Sequence, residues 1–248
     1  MKAVVLSAGQ GKRLLPLTAE NPKCLLPVRG DEPILGWQLA ALARAGIERA
    51  TVVVGFGAER VEAWLAANRV RGLGCETLFN PFYQSSDNLI SCWLARGAMS
   101  GDFLLLNGDT IFEDAVLARV LEVSAPIALA IDRKREYDED DMKVSLDPRG
   151  RLVAIDKWLP RARVGGESIG LLSFRGSGPK QFANALDEAV RRPEAMRQWY
   201  LTVVDEIARS TAVESASVRG LWWREIDSPS DLDDARSEFA TRSAFASR

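Results

Sequence analysis

Histidine is missing from the 248-residue chain. Its absence excludes a Ser-His-Asp hydrolase, general acid or base catalysis by imidazole, and any metal site that needs an imidazole ligand. The chemistry of this protein must therefore use carboxylates, lysine, arginine, backbone amides or a metal ion held by oxygen atoms.

Cysteine is scarce as well, with three residues that form no CxxC pair: Cys24, Cys75 and Cys92. An odd number of cysteines without such a pair predicts neither a disulfide framework nor a zinc site. The first residues run directly into an apolar strand and show no secretory signal. Together these features favour a reducing environment, and we expect a cytoplasmic protein.

Long apolar runs and an excess of basic charge are also absent. No run of eighteen apolar residues occurs, so we expect no membrane span. The chain has 32 Lys and Arg residues against 34 Asp and Glu residues, a net charge of −2. Because this balance gives no basic field for a phosphate backbone, we expect no nucleic-acid partner.

Apolar runs alternate with helical patterns in the first half of the chain, which predicts parallel strands joined by right-handed crossover helices. The strands are predicted at 2–6, 50–54, 76–79 and 103–106, and the helices at 34–45, 59–67 and 88–99. After residue 124, short strands with tight turns predict antiparallel additions. These antiparallel strands are predicted at 127–131, 143–146, 152–155 and 168–174. Helices at 179–190 and 197–208, strands at 213–218 and 222–226, and a last helix from Ser228 onward are predicted after them.

The length suits one sizeable core. We therefore predict an α/β fold, a single-domain Rossmann-like mixed, mostly parallel sheet flanked by helices. The domain is predicted to span residues 1–240, and residues 241–248 are predicted to form a frayed tail.

A glycine-containing turn follows the first strand, with the sequence Ala8-Gly9-Gln10-Gly11-Lys12-Arg13. Two glycines let the backbone approach a polyphosphate and point N–H groups at it. The third glycine of the dinucleotide fingerprint is replaced by Leu14, and no GK[ST] follows, so both commoner phosphate motifs are disfavoured. A triphosphate also needs cations, which Arg13 and Lys23 can supply. Alone, the segment is equally compatible with a plain turn that carries solvated basic residues.

Two carboxylates stand where strands are predicted to end. Asp109 follows the apolar strand in Asn107-Gly108-Asp109, and Asp227 directly precedes the last predicted helix. Mg²⁺ prefers one or two carboxylates together with phosphate oxygens. The structural alternatives are a strand-ending turn for Asp109 and helix capping, together with Ser228, for Asp227.

The segment 3–28, AVVLSAGQGKRLLPLTAENPKCLLPV, resembles the signature of the nucleotidyltransferase superfamily that makes nucleotide sugars and CDP-alcohols. The resemblance implies the nucleotide-diphospho-sugar transferase type of fold and transfer of a nucleoside monophosphate from an NTP with release of pyrophosphate. It also implies that loop amides and Arg13 bind the β- and γ-phosphates and that Lys23 lies near the α-phosphate. Asp109 and Asp227 correspond to the aspartates that bind Mg²⁺, the implied cofactor.

Two further segments narrow the resemblance. Asn80-Pro81-Phe82-Tyr83 followed by Ser86-Asp87-Asn88, and the ending WREID, are similar to the phosphocholine, inositol-phosphate and aminoethylphosphonate cytidylyltransferases. This implies CTP as donor and a small phosphorylated or phosphonylated alcohol as acceptor. The nucleotide-binding residues are then expected to be Leu6, Ala8, Gly9, Gly11, Lys12, Arg13, Lys23, Asn80, Ser86, Asn88 and Asp109.

Acceptor binding is harder to assign. The residues expected to contribute are Lys143, Lys157, Glu167, Trp199 and Tyr200. The acidic run from Asp138 to Asp141 could face an ammonium group of the acceptor, but a solvated loop is the favoured interpretation.

Other functions stay open at this point. A uridylyl-, thymidylyl- or guanylyltransferase acting on a sugar 1-phosphate would use the same machinery, and a nucleotide-sensing subunit would bind NTP without turnover. A dinucleotide oxidoreductase is weakened by Leu14. The sequence leaves the oligomeric state open, a homodimer included.

Overall fold

A nine-stranded mixed sheet organises the computed structural model, which describes the backbone of residues 1–246 and the side chains of residues 1–241. Its strands are β1 Lys2–Ser7, β4 Arg49–Val54, β5 Gly74–Phe79, β6 Phe103–Asn107, β8 Ile127–Asp132, β9 Lys143–Leu146, β10 Leu152–Asp156, β11 Gly166–Phe174 and β12 Val213–Ser217. The order β10-β9-β11-β6-β1-β4-β5 forms the main path, and β8 joins β11 to β12. Strands β6, β1, β4 and β5 are parallel, whereas β9, β10 and β11 pair antiparallel.

Two small ribbons stand apart from the sheet. One pairs β2 Pro27–Arg29 with β3 Glu32–Pro33, and the other pairs β7 Thr110–Phe112 with β13 Trp223–Glu225. The helices are α1 Ile34–Arg44, α2 Ala58–Ala67, α3 Asn88–Leu94, α4 Asp114–Glu122, α5 Gly178–Ala189, α6 Tyr200–Ala208 and α7 Pro229–Ala246. Short 3₁₀ helices cover Lys12–Leu14, Lys23–Leu25, Ala95–Gly97, Arg161–Arg163 and Ala195–Arg197.

Helices cover both faces of the sheet, because side chains alternate along each strand and both sets are apolar. On β6, Phe103 and Leu105 face α3, α5 and α6, whereas Leu104 and Leu106 face α1, α2 and α4. The predicted single α/β domain with a Rossmann-like, mostly parallel sheet is confirmed.

The structure differs from the sequence prediction at three helices. The helix predicted at 88–99 ends at Leu94 and continues as a 3₁₀ turn, and the helix predicted from 197 begins at Tyr200. Helix α4 was not predicted, although its buried Val116, Leu117 and Val120 have helical spacing. Helix α7 is described to Ala246, and residues 247–248 of the predicted tail lie outside the described residues. Within the described range, no helix combines the length and apolar character needed to cross a bilayer.

Three stacked phenylalanines hold α5 against the sheet. Phe174 lies with its ring centroid 4.5 Å from that of Phe103 and 4.6 Å from that of Phe182, and all three side chains are fully buried. We expect Phe182→Ala to lower the free energy of unfolding by about 3–5 kcal/mol, because it removes buried apolar surface and leaves a cavity.

Urea denaturation measures this change. Trp158→Ala is the control, because Trp158 is 74% exposed and its replacement should change the free energy of unfolding by no more than about 0.5 kcal/mol. Equal effects of the two substitutions would contradict the assigned packing.

Candidate active site

A cleft of about 1120 Å³ opens at the carboxyl ends of the parallel strands and extends across the antiparallel part of the sheet. Open α/β sheets bind ligands at this edge, because the loops that follow parallel strands gather there. Leu6, Gly9 and Asn88 line one half of the cleft, and Lys134 and Lys157 line the other. We call them the nucleotide half and the acceptor half, after the residue roles that the sequence predicted.

The glycine turn after β1 holds a lysine in place. Gly11 has a φ of 73°, in the left-handed region, and a Cβ atom at Gly11 would lie 2.9 Å from Cδ of Lys23. The carbonyl of Gly11 accepts hydrogen bonds from the Leu14 N–H and the Thr18 hydroxyl, each at 2.9 Å. A larger residue would therefore displace the lysine stem and strain the turn.

The four predicted catalytic residues meet at this edge. Nζ of Lys23 lies 2.8 Å from Oδ2 of Asp109 and 2.7 Å from Oδ1 of Asp227. One guanidinium nitrogen of Arg13 lies 2.7 Å from Oδ2 of Asp227. The structure thus brings together two cations from the first turn and two carboxylates from distant parts of the chain.

The ribbon of β7 and β13 explains why the carboxylates meet. Thr110 pairs with Glu225, and the N–H of Ile226 donates to the carbonyl of Asp109 at 3.0 Å. Asp109 precedes β7 and Asp227 follows β13, so antiparallel pairing places them side by side. Sequence reasoning proposed both aspartates and missed the ribbon.

Glu225 completes a group of three carboxylates. One oxygen each from Asp109, Glu225 and Asp227 lies within 4.8 Å of the others. Oδ1 of Asp109 is buried and has no hydrogen-bond partner among the described residues. Hard oxygen ligands in this arrangement suit Mg²⁺. The sequence analysis assigned no role to Glu225, the glutamate of the ending WREID. Side chains two residues apart on a strand lie on the same side, so the spacing of Glu225 and Asp227 could have indicated it.

The close spacing of the three carboxyl groups shifts the pKa values of Glu225 and Lys23. Desolvation, followed by the negative charges of Asp109 and Asp227, raises the pKa of Glu225 to about 8, although its side chain opens onto the cleft. Burial lowers the pKa of Lys23, but the same two aspartates outweigh it and the pKa is raised. Lys23 therefore stays charged and compensates two of the three carboxylates.

Asp227 is free for this role because other residues cap α7. The N–H groups of Asp227 and Ser228 donate to Oδ2 of Asp231 at 3.0 and 2.7 Å, and the Ser228 hydroxyl accepts from the Asp231 N–H. Capping by Asp227 itself, the alternative considered from sequence, is not what the structure shows.

In the nucleotide half, Leu6, Ala8, Gly9, Asn80, Ser86 and Asn88 line the cleft, whereas Gly11, Lys12 and Lys23 do not. Asn80 is buried, and its amide binds the Ser91 hydroxyl and the Phe82 N–H. Oδ1 of Asn88 accepts from the N–H of Tyr200 at 2.9 Å. These two asparagines therefore fix the segment between β5 and α3 against the rest of the cleft.

The acceptor half contains paired charges. Nζ of Lys157 lies 4.7 Å from the ring centroid of Trp199 and 3.3 Å from Asp140, and both Lys157 and Trp199 line the cleft. Lys134, which sequence reasoning missed, lies 2.7 Å from the buried carboxylate of Glu167.

Two residues expected at the acceptor have other surroundings. Lys143 is buried, and its ammonium donates to the carbonyls of Asp138, Asp141 and Lys157. It therefore holds the loop around 138–141 and is not available to an acceptor phosphate. Tyr200 is fully buried, with its hydroxyl directed at Asn107.

The acidic run is part of the cleft wall. Asp138, Asp140 and Asp141 line the cleft. Asp140 pairs with Arg13 at 2.5 Å, and Asp141 lies 3.4 Å from Lys134. The favoured interpretation, a solvated loop, agrees with the exposure of Asp138 and Asp140, but it did not include the ion pairs that connect this run to both halves of the cleft.

Comparison with known proteins gives a consistent picture. Residues 3–168 match the family described as MobA-like NTP transferase domain. The chain is 33% identical over 253 residues to CMP-5'-(3-aminopropyl)phosphonate synthase of Streptomyces rubellomurinus and 29% identical over 239 residues to the bifunctional IPC transferase and DIPP synthase of Aquifex aeolicus. These matches cover 97% and 94% of this chain but only 39% and 50% of the relatives, so the chain spans half or less of their length.

A third relative is similar in length. The 2-aminoethylphosphonate cytidylyltransferase of Lancefieldella rimae is 25% identical over 239 residues, which cover 93% of this chain and 89% of that protein.

Among solved structures, the inositol-1-phosphate CTP transferase from T. maritima superposes with a TM-score of 0.78 at 20% identity, covering 95% of this chain and 94% of the other. CTP:phosphocholine cytidylyltransferase from Streptococcus pneumoniae gives 0.75 at 20% identity, covering 96% and 98%. At this identity the two structures establish the fold alone.

The buried Glu167 leads to a pH prediction. Burial raises its pKa to about 8 from 4.5, although the nearby Lys134 opposes the shift. Because the folded chain keeps this proton to a higher pH than the unfolded chain, the free energy of unfolding should fall as the pH rises from 4.5 to about 8. Glu167→Gln, which does not ionise, should make that fall shallower.

Urea denaturation across this pH range measures the effect. Glu139→Gln alters an exposed carboxylate in the neighbouring loop and should follow the unaltered chain. If Glu167→Gln loses stability with pH as steeply as the unaltered chain does, the assigned burial of Glu167 is wrong.

Proposed function

The chain belongs to the family of MobA-like NTP transferase domains, and from that premise we propose that it is a magnesium-dependent nucleotidyltransferase. It transfers CMP from CTP to a small phosphorylated or phosphonylated alcohol and releases pyrophosphate. The observation that carries the proposal is the convergence of Arg13 and Lys23 with Asp109, Glu225 and Asp227 beside the glycine turn.

The charges of the site support a triphosphate as ligand. A nucleoside triphosphate carries about four negative charges, and one unit pair at about 4 Å is worth roughly 4 kcal/mol at an effective dielectric near 20. Ala8, Gly9 and Arg13 of the glycine turn line the cleft, and Arg13 and Lys23 supply the positive charge. When Mg²⁺ is bound by Asp109, Glu225 and Asp227, it neutralises charge on the phosphate oxygens.

The reaction needs positioning more than proton transfer. An oxygen of the acceptor phosphate or phosphonate attacks the α-phosphorus, a new P–O bond forms, and the bond to the β-phosphate breaks to release pyrophosphate. That oxygen is already anionic at neutral pH, so no general base is required. In this mechanism Lys23 binds the α-phosphate and Arg13 binds the leaving pyrophosphate.

Cytidylyl transfer is favoured by the relatives. The Lancefieldella protein is named as a cytidylyltransferase, the Streptomyces protein as a synthase of a CMP-phosphonate, and both solved structures as transferases that use CTP. The acceptors in these names are amino-phosphonates, phosphocholine and inositol 1-phosphate. We place the activity in the cytoplasm, which the three free cysteines support.

A substrate panel tests the proposal. Each of the four NTPs is incubated with Mg²⁺ and one acceptor, namely 2-aminoethylphosphonate, 3-aminopropylphosphonate, phosphocholine, inositol 1-phosphate or glucose 1-phosphate, and pyrophosphate is measured. We expect release with CTP and a non-sugar acceptor. Reaction with glucose 1-phosphate alone would favour the sugar-activating alternative, and NTP binding without any release would favour a sensing subunit.

Asp109→Asn tests the role of the carboxylates. We expect turnover to fall by at least about 100-fold, because a preorganised charge at the reacting phosphate is lost. The melting temperature should change little, while its rise on addition of Mg²⁺ should be reduced.

Asp114→Asn is the matched control, since Asp114 pairs with Arg44 on the surface, away from the cleft. It should keep both the turnover and the response to Mg²⁺. Full turnover in Asp109→Asn would overturn the assignment, and a large loss of folding would instead show that Asp109 is structural.

A further inference from the structure

Tyr200 connects a buried helix to the cleft without entering it. It is the first residue of α6 and its side chain is fully buried. Its hydroxyl lies 3.1 Å from Oδ1 of Asn107, to which it donates a hydrogen bond. A direct contact between Tyr200 and an acceptor is excluded by this burial, so any effect on the acceptor has to pass through Asn107.

Asn107 lines the cleft and is close in sequence to Asp109. It is the last residue of β6, two residues before Asp109, and it is half-buried. On the neighbouring strand β11, Gly170 has a φ of 71°, and a Cβ atom there would lie 2.3 Å from Nδ2 of Asn107. Gly170 therefore makes the space in which the amide of Asn107 lies.

The hydroxyl of Tyr200 determines which way the amide of Asn107 points. The buried hydroxyl of Tyr200 donates its hydrogen bond to Oδ1 of Asn107. If the amide group rotated by 180°, Nδ2 would take the place of Oδ1 and the hydroxyl would lose its acceptor. In the observed orientation, Nδ2 is left beside Gly170 with no hydrogen-bond partner in the described part of the chain. Because Asn107 lines the cleft, these two N–H donors are available to a ligand.

The surroundings place this donor in the acceptor half. Trp199, which precedes Tyr200, stacks on Lys157, and Gly170 lies on the strand that carries Glu167. Nζ of Lys134 and Nζ of Lys157 already contact carboxyl oxygens of Glu167 and Asp140, at 2.7 and 3.3 Å. An anionic acceptor group next to Asp109 therefore needs another donor, and a neutral amide supplies one without a further counter-charge.

We propose that Tyr200 is a positioning residue that orients the amide of Asn107, whose N–H groups bind an oxygen of the acceptor's phosphate or phosphonate. The inference rests on the proposed function, because it assumes an anionic acceptor. It concerns binding of the acceptor and not of CTP, which separates it from a general structural role.

Steady-state kinetics test the proposal, with the acceptor that the substrate panel identifies. Tyr200→Phe should raise the KM of the acceptor about tenfold, as expected for a lost hydrogen bond to a charged group, and change the KM of CTP less than about twofold. Asn107→Ala should raise the acceptor KM at least as much. In the Asn107→Ala background, Tyr200→Phe should have no further effect, because its route to the substrate is gone.

Two further variants distinguish a specific effect on acceptor binding from a general loss of structure. Asn107→Asp keeps an oxygen for the Tyr200 hydroxyl and replaces the N–H groups by an anionic oxygen, so it should weaken acceptor binding more than Asn107→Ala does. Ser173→Ala removes another fully buried hydroxyl, on the far part of β11, that has no hydrogen-bond partner among the residues the structure describes. It should leave both KM values unchanged.

Three results would overturn the inference. They are an unchanged acceptor KM in Tyr200→Phe or Asn107→Asp, an equal rise in the KM of CTP, and effects of Tyr200→Phe and Asn107→Ala that multiply in the double variant. If the unaltered chain releases no pyrophosphate with any acceptor, the proposed function itself has failed and the inference falls with it.

Discussion

The pairing of Lys23 with Asp109 and Asp227 is the interaction on which the rest of the site depends. Two like charges about 4 Å apart cost roughly 4 kcal/mol at an effective dielectric near 20. Oxygens of Asp109, Asp227 and Glu225 lie within 4.8 Å of one another, and repulsion from the two aspartates contributes to the raised pKa of Glu225. Lys23, at 2.8 and 2.7 Å from two of them, compensates most of that repulsion. Gly11 fixes the lysine stem, so the shape of the glycine turn and the spacing of the carboxylates are linked.

Arg13 extends this linkage to the acceptor half. Its guanidinium contacts Asp227 on one side and Asp140, in the acidic run, on the other. The pair with Asp140 is more than half exposed at both side chains, and exposed pairs of this kind are worth only about 0–1 kcal/mol. A triphosphate can therefore draw Arg13 away from Asp140 at little cost, which would couple the arrival of the nucleotide to the loop beside the acceptor.

The sequence was sufficient for the parts of the fold and site that depend on local patterns. Apolar runs that alternate with helical patterns predicted the parallel strands, and the glycine turn with Arg13 and Lys23 indicated phosphate binding. The position of Asp109 and Asp227 beside one another could not be derived in this way, because it is produced by the pairing of β7 with β13. Only the resemblance to a known family suggested it.

The acceptor half was predicted least well, for a physical reason. Lys143 and Lys157 were chosen by residue type and Glu167 by the resemblance to the family, but whether such a group meets a ligand depends on which internal partners it has. Lys143 donates to three backbone carbonyls, and Glu167 contacts Lys134. No sequence pattern predicts either contact. Asn107 was overlooked for the same reason, since an asparagine at the end of a strand acquires a fixed orientation only through a tyrosine 93 residues away.

The missing histidine is consistent with how this site is built. Lys23 and Arg13 keep their charges because neighbouring carboxylates raise the pKa values of both residues, although burial acts in the opposite direction. A reaction whose nucleophile is already anionic needs such fixed charges and oriented donors, and it gains nothing from a group that titrates near neutral pH. The chain therefore concentrates its ionic and amide groups at one sheet edge, where charge neutralisation and alignment can take the place of proton transfer.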